Sequence, residues 1–205
     1  MVLLIEFNGN SQDKKKKKVH AMDTDMKAYG HEAVFEEDGG KDQAKKFWIM
    51  RRESFNLLRK KIKDKHTAPF MDDLIVPPRT LPHFLPEVRR IINKYKLLAT
   101  LAGHMGDGNF HIIPLMKIED PNEKAKLEPA MREINALVLK YGGSLSGEHN
   151  DGMIRGPWLK DMYGEKTFGY FVQVKTIFDP HNIFNPHKKT DADWSYSMAH
   201  LREHF

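Results

Sequence analysis

Apolar positions along the chain fall into short extended runs and longer helical stripes. Residues 2–9 (VLLIEFNG) are apolar or β-branched and close on Asn8-Gly9, which predicts a buried strand and its turn. In residues 11–29, Val19, Met22 and Met26 recur at helical spacing behind Ser11, a candidate N-cap. Residues 31–38 (HEAVFEED) read as a second strand, ended by Asp38-Gly39-Gly40. A helix is predicted over 41–65, where Phe47, Trp48, Phe55, Leu58 and Ile62 form a stripe between basic residues. Residues 71–78 (MDDLIVPP) form a short extended segment stopped by two prolines, which cannot join a central ladder. A helix over 80–95 takes Thr80 as its N-cap and turns Leu85, Val88, Ile91 and Ile92 inward, with a small kink expected at Pro86.

Two strands then flank a glycine-rich turn between positions 98 and 116. A helix over 121–141 ends at Gly142-Gly143, and residues 143–149 (GSLSGEH) are strand-like. A loop through Pro157 leads to a last helix over 165–178, and the tail from Asp179 reads as irregular coil. The order β-α-β-α-(β)-α-β-β-α-β-α fits one α+β domain over residues 1–205, an antiparallel sheet covered by helices with ferredoxin-like elements.

Composition narrows the function. The 205 residues include no cysteine, which excludes disulfides, thiolate metal sites, iron–sulfur ligation and a cysteine nucleophile. Mean hydropathy is −0.60 and no apolar run approaches the roughly 20 residues of a membrane span, so no integral membrane segment is expected. No secretory signal is visible, and a cytoplasmic location is expected. The net charge of +5 suits acidic ligands without demanding nucleic acid. Lys14 to Lys18 wrap most of a helix's circumference and read as a solvated helix start.

The densest polar cluster is residues 103–111, GHMGDGNFH. If Gly106-Asp107-Gly108 reverses the chain, His104 and His111 come from opposite arms and face one point, a two-imidazole metal site. The same pattern also fits a hairpin with two incidental surface histidines. The phosphate-loop spacings are absent. A second cluster, residues 146–152 (SGEHNDG), sets Glu148 beside His149. On a strand the two point to opposite faces, but a local bend brings both to one cavity. There Glu148 completes a three-ligand set and His149 is left as general base. An exposed polar loop is the plainer alternative. Arg51, next to Arg52 on the 41–65 helix beside Phe47 and Trp48, reads as half-buried, either as a carboxylate clamp or as an ordinary helix-surface arginine. The remaining histidines have no partner cluster and read as surface residues.

Taken in order, GHMGDGNFH, SGEHNDG and FDPHNIFNP (178–186) resemble the C-terminal domain of FAD-linked oxidases, in the vanillyl-alcohol oxidase superfamily. This group includes D-lactate, glycolate and D-2-hydroxyglutarate dehydrogenases. The resemblance implies an α+β substrate (cap) domain that covers a flavin. It implies that His104, His111 and Glu148 bind a divalent metal, zinc first, and that His149 takes the hydroxyl proton as hydride leaves for FAD. Arg51 matches an arginine that binds the substrate carboxylate, and Asn185 a tail asparagine near the flavin. Ile113 and Met71 stand where the hydroxyglutarate enzymes place an asparagine and a lysine, which weighs against a dicarboxylate. His187 replaces the usual glycine after Asn-Pro.

The expected function is therefore the substrate- and metal-binding part of a flavin-dependent 2-hydroxy acid dehydrogenase, inactive alone. FAD sits on a separate partner domain or subunit, and contact with a membrane is peripheral at most, through an electron acceptor. The competing readings are a non-catalytic metal- or carboxylate-binding domain and, more remotely, a metal-dependent hydrolase. The face carrying the three motifs is expected to be a partner-binding surface, through which a symmetric homodimer forms when the flavin domain is missing.

Overall fold

The computed structural model describes residues 5–7, 9–31 and 41–202. It divides into two compact units, Met1–Lys61 and Ile62–Phe205. In the first, α1 spans Gln12–Ala28, and the Ser11 side chain accepts a hydrogen bond from Lys14 N–H as expected of an N-cap. Helix α2 spans Lys41–Lys61. Residues 5–7 and 9 of the first expected strand carry no regular structure, and its other positions lie outside the described residues. Residues 32–38 of the second expected strand also lie outside the described residues.

The second unit is built on β4 (Asn109–Met116). Strand β3 (Leu98–His104) pairs antiparallel along one edge, with Leu98 opposite Leu115 and His104 opposite Asn109. Along the other edge lie β1 (His66–Thr67) and β2 (Met71–Ile75), end to end and both antiparallel. The extended segment expected over 71–78 is thus strand β2, and its two prolines fall after the strand and stay out of the ladder, as their missing N–H groups require. Side chains alternate across a strand, so β4 has two different faces. Phe110, Ile112 and Met116 point into the core with Met71 and Leu74. Asn109, His111, Ile113 and Leu115 point the other way.

Two amphipathic helices cover the first face. Helix α3 (Leu81–Lys94) contributes Phe84, Val88 and Ile91, and α5 (Leu127–Lys140) contributes Met131, Ile134 and Val138. The Phe84 ring lies 5.1 Å from Phe110 and 5.4 Å edge-on from Tyr141. The helices are also tied at both ends, by Tyr95 Oη to Glu133 and Tyr141 Oη to Glu87, each 2.6 Å. This is the α+β antiparallel architecture the alternation predicts.

Four local expectations change. Thr80 is not a side-chain cap: it ends a 3-10 turn, Pro78–Thr80, and its hydroxyl donates to Pro77 O at 2.7 Å. The single helix over 121–141 is split into α4 (Pro121–Lys124) and α5, because the Pro129 ring would collide with the Ala125 carbonyl of a continuous helix. The loop through Pro157 is helical, with α6 (Gly152–Arg155), a 3-10 turn and α7 (Leu159–Phe178), which is interrupted at Gly164. The tail is folded too. Helix α8 (Trp194–Ala199) is capped by Asp193, which accepts from Tyr196 N–H at 2.8 Å, and the Trp194 ring lies 5.4 Å from Trp158.

Candidate metal centre

The site occupies the sheet face opposite α3 and α5. Because His104 pairs with Asn109 across the hairpin, it is the diagonal neighbour of His111, and their rings lie edge-on with centroids 6.3 Å apart. Gly108 makes this reversal possible. It closes the turn in the left-handed region at φ 74°, and a Cβ there would sit 1.8 Å from the Val76 carbonyl oxygen.

The other half of the site comes from a bulge in β2. Met71 pairs with Ile112 and Leu74 with Phe110, so Asp72 and Asp73 together face the single residue His111. Asp73 is fully buried with φ 62°, and its carboxylate accepts three consecutive backbone N–H groups: Gly147 at 3.0 Å, Glu148 at 2.9 Å and His149 at 2.8 Å. Asn109 Nδ2 and Ser146 Oγ also donate to it. Burial pushes the Asp73 carboxyl up, but these hydrogen bonds outweigh it and hold the group below its ordinary range. Curling the backbone around one carboxylate resolves the opposite-faces problem, since Glu148 and His149 now reach the same space.

Glu148 Oε1 is the meeting point. It lies 3.6 Å from His104 Nε2, 3.2 Å from His111 Nε2 and 3.3 Å from His149 Nε2. The His111 and His149 rings stack at 5.1 Å with a 20° tilt. Asp72 lies beneath them, with Oδ1 2.7 Å from His111 Nδ1 and Oδ2 3.6 Å from His149 Nδ1. His111 and Asp72 form a nearly buried floor, and His104, Glu148 and His149, each about half exposed, form an open rim. Arg155 is buried behind the loop and donates to the carbonyls of Asn150 and Asp72.

Among the described residues, Asp73, His111, Glu148 and His149, without His104, bring potential ligand atoms all within 4.8 Å of one another. Asp73 is already saturated by N–H and O–H donors, so its oxygens are committed to holding the loop. The atoms free to bind an ion are the three Nε2 nitrogens and the Glu148 carboxylate. Two or three imidazoles and a carboxylate around one point, with a carboxylate behind a ligating ring, fit a divalent transition metal such as zinc.

Sequence reasoning singled out His104, His111, Glu148 and His149, which the fold gathers. It missed Asp72, Asp73 and Arg155. Two adjacent acids inside the apolar run MDDLIV were the available signal. Arg51 and Arg52 lie on α2 in the first unit and are exposed rather than half-buried. Asn185 is exposed at φ 49° in the tail. The tail turn is organised by Asp179, which accepts from Ile183 and Phe184 N–H at 2.9 and 2.8 Å and pairs with Lys175. His187, in the position expected for glycine, adopts φ 59° with its N–H bound to Asp191 and its ring stacked 3.8 Å from Tyr196.

Fold and site together define an α+β domain with one helix-covered sheet face and one face given to an imidazole–carboxylate cluster. Residues 1–189 match the family described as FAD linked oxidases, C-terminal domain, and the chain belongs to that family. It is 30% identical over 191 residues to the D-2-hydroxyglutarate dehydrogenase of Pseudomonas putida, covering 90% of this chain and 18% of that protein. It is 28% identical over 187 residues to the Escherichia coli glycolate oxidase subunit GlcD, covering 91% of this chain and 36% of that one. Among solved structures it resembles a 4-ethylphenol oxidase from Gulosibacter chungangensis, with TM-score 0.58 and 15% identity over 90% of this chain and 38% of that chain, a likeness of fold. The chain thus spans well under half the length of these relatives.

Proposed function

We propose that residues 1–205 act as the substrate- and metal-binding cap domain of a flavin-dependent 2-hydroxy acid dehydrogenase of the D-lactate or glycolate type. The observation that carries this reading is the convergence of His104, His111 and His149 Nε2 on Glu148 Oε1 at 3.2–3.6 Å. His104, His111 and Glu148 hold the divalent metal, which supplies Lewis-acid polarisation of the substrate oxygen. FAD, on a partner domain, supplies the hydride acceptor. His149, on the rim, receives the hydroxyl proton at Nε2 as the C2 hydride departs. The Asn185 tail faces the flavin. Met71 is buried in the core against Ile112, on the face away from the site, and has no bearing on a second carboxylate; Ile113, on the His111 face of β4, offers no polar group for one, in keeping with a small monocarboxylate. Among the described residues, no helix is long and apolar enough to cross a membrane.

Two measurements test the proposal. Elemental analysis after zinc loading and dialysis is expected to give one metal per chain, and His111→Ala to give none. Co-expression with the FAD-binding portion of a glycolate oxidase subunit is expected to yield dye reduction by D-lactate or glycolate, abolished in His149→Gln with metal retained. A chain that takes up no metal, or a His149→Gln complex as active as wild type, overturns the assignment.

A further inference from the structure

Resting on the metal-centre reading, the geometry assigns Asp72 a positioning role. We propose that its single carboxylate sets the tautomers of both the ligand His111 and the base His149. Each imidazole carries one N–H and one lone pair when neutral, and the partner of one nitrogen decides the state of the other. Asp72 Oδ1 lies 2.7 Å from His111 Nδ1, a hydrogen bond in which the ring must be the donor if the carboxylate is ionised. That leaves the His111 Nε2 lone pair pointing at Glu148 Oε1 and the ion position, 3.2 Å away. Asp72 Oδ2 lies 3.6 Å from His149 Nδ1, too far for a hydrogen bond, yet near enough for its charge to favour the tautomer with N–H on that side. The His149 Nε2 lone pair is then directed to the rim, where the proposed base must act.

Three observations show that this is a built arrangement. The bulge spends an extra residue to put Asp72 under the rings. The Asp72 side chain is only 13% exposed, so water competes little for it. Its backbone carbonyl is in turn fixed by Arg155 Nη1 at 3.3 Å. The near-parallel stacking of the two rings follows, since both must present the same edge to one carboxylate.

Long-range 1H–15N correlation spectra of the full chain at about pH 8, above the ordinary imidazole range, read the tautomers directly. His111→Gln and His149→Gln variants assign the two rings. Wild type is expected to show Nδ1–H for both. Asp72→Asn retains one acceptor oxygen and turns an NH2 group to the other ring. It is expected to keep His111 as Nδ1–H while His149 changes to Nε2–H. Asp72→Ala is expected to release both rings and to weaken zinc binding about 10- to 100-fold, with Asp72→Glu recovering most of the loss. Unchanged ring signatures in Asp72→Ala, with zinc affinity within about twofold of wild type, overturn the role. If wild type binds no zinc but the tautomers respond as described, the metal reading fails and the Asp72 assignment stands.

Discussion

Replacing Asp73 by Asn keeps the side chain's shape and removes its charge and one of its two acceptor oxygens. In the native site that carboxylate takes backbone N–H groups from Gly147, Glu148 and His149 at 2.8–3.0 Å, and a fourth donor, Asn109 Nδ2, at 3.1 Å. A hydrogen bond to a charged group contributes about 1.5–3 kcal/mol, and a buried donor left without a partner costs about 1–3 kcal/mol. The substituted amide still accepts from one or two of these donors, and the half-exposed Glu148 and His149 let water reach the rest. The expected loss is therefore about 2–3 kcal/mol, well below a naive sum. For a chain of this length that lowers Tm by about 4–12 °C. Urea unfolding followed by tryptophan fluorescence gives the first number. Amide hydrogen exchange at Gly147, Glu148 and His149 gives the local one, and these three amides should lose protection by more than the global change. A variant within about 0.5 kcal/mol of wild type, with those amides still protected, refutes the claim that Asp73 holds the loop.

Three other perturbations follow from the structure. Gly108→Ala forces a Cβ against the Val76 carbonyl at a positive φ and should cost about 1–3 kcal/mol in urea unfolding while weakening zinc uptake, since the reversal that joins His104 to His111 must shift. Phe84→Ala removes a fully buried ring packed on Phe110 and Tyr141 and should cost about 3–5 kcal/mol by the same assay, leaving a lower Tm with the metal site intact. The Lys175 ammonium, helped by the N–H groups of Ile183 and Phe184, lowers the Asp179 carboxyl to about 2 against an ordinary 3.8. Because the folded value is depressed, the tail turn keeps this support above about pH 4 and loses it as pH falls through about 2. A carboxyl 13C titration of Asp179 near its ordinary value would contradict this.

The fold class was legible because the second unit alternates cleanly between strand and helix periods, and the hairpin 98–116 carries its own glycine-rich turn. Four of the five rim and floor residues, His104, His111, Glu148 and His149, were legible from two short motifs. What stayed hidden depends on contacts distant in sequence. Pairing of β2 with β4 is set by the buried Met71 and Leu74 against Ile112 and Phe110, a partner and register that the short extended segment alone does not carry. The bulge that turns both acids toward His111 has no local signature beyond the acids themselves. The split at Ala125 was available from Pro129 and was outweighed by an otherwise continuous apolar stripe. The folded tail depends in part on Trp194 meeting Trp158, 36 residues away, a pairing that no windowed pattern contains.

The two-faced strand β4 has a consequence for how the domain tolerates change in length. His111 and Asn109 belong to the chemistry, and Phe110 and Ile112 belong to the core, one residue out of phase. An insertion or deletion of a single residue anywhere within 109–112 would exchange the two sets, turning imidazole into the apolar interior and a phenyl ring toward the ion position. The extra residue of the β2 bulge is subject to the same arithmetic, because removing it leaves one acid where two different tasks need two. Insertions in the connection 117–120 between β4 and α4, by contrast, leave every one of these phases intact. Length variation among functional descendants of this sequence should therefore be absent from the paired segments 71–75 and 109–112 and free to accumulate in such connections.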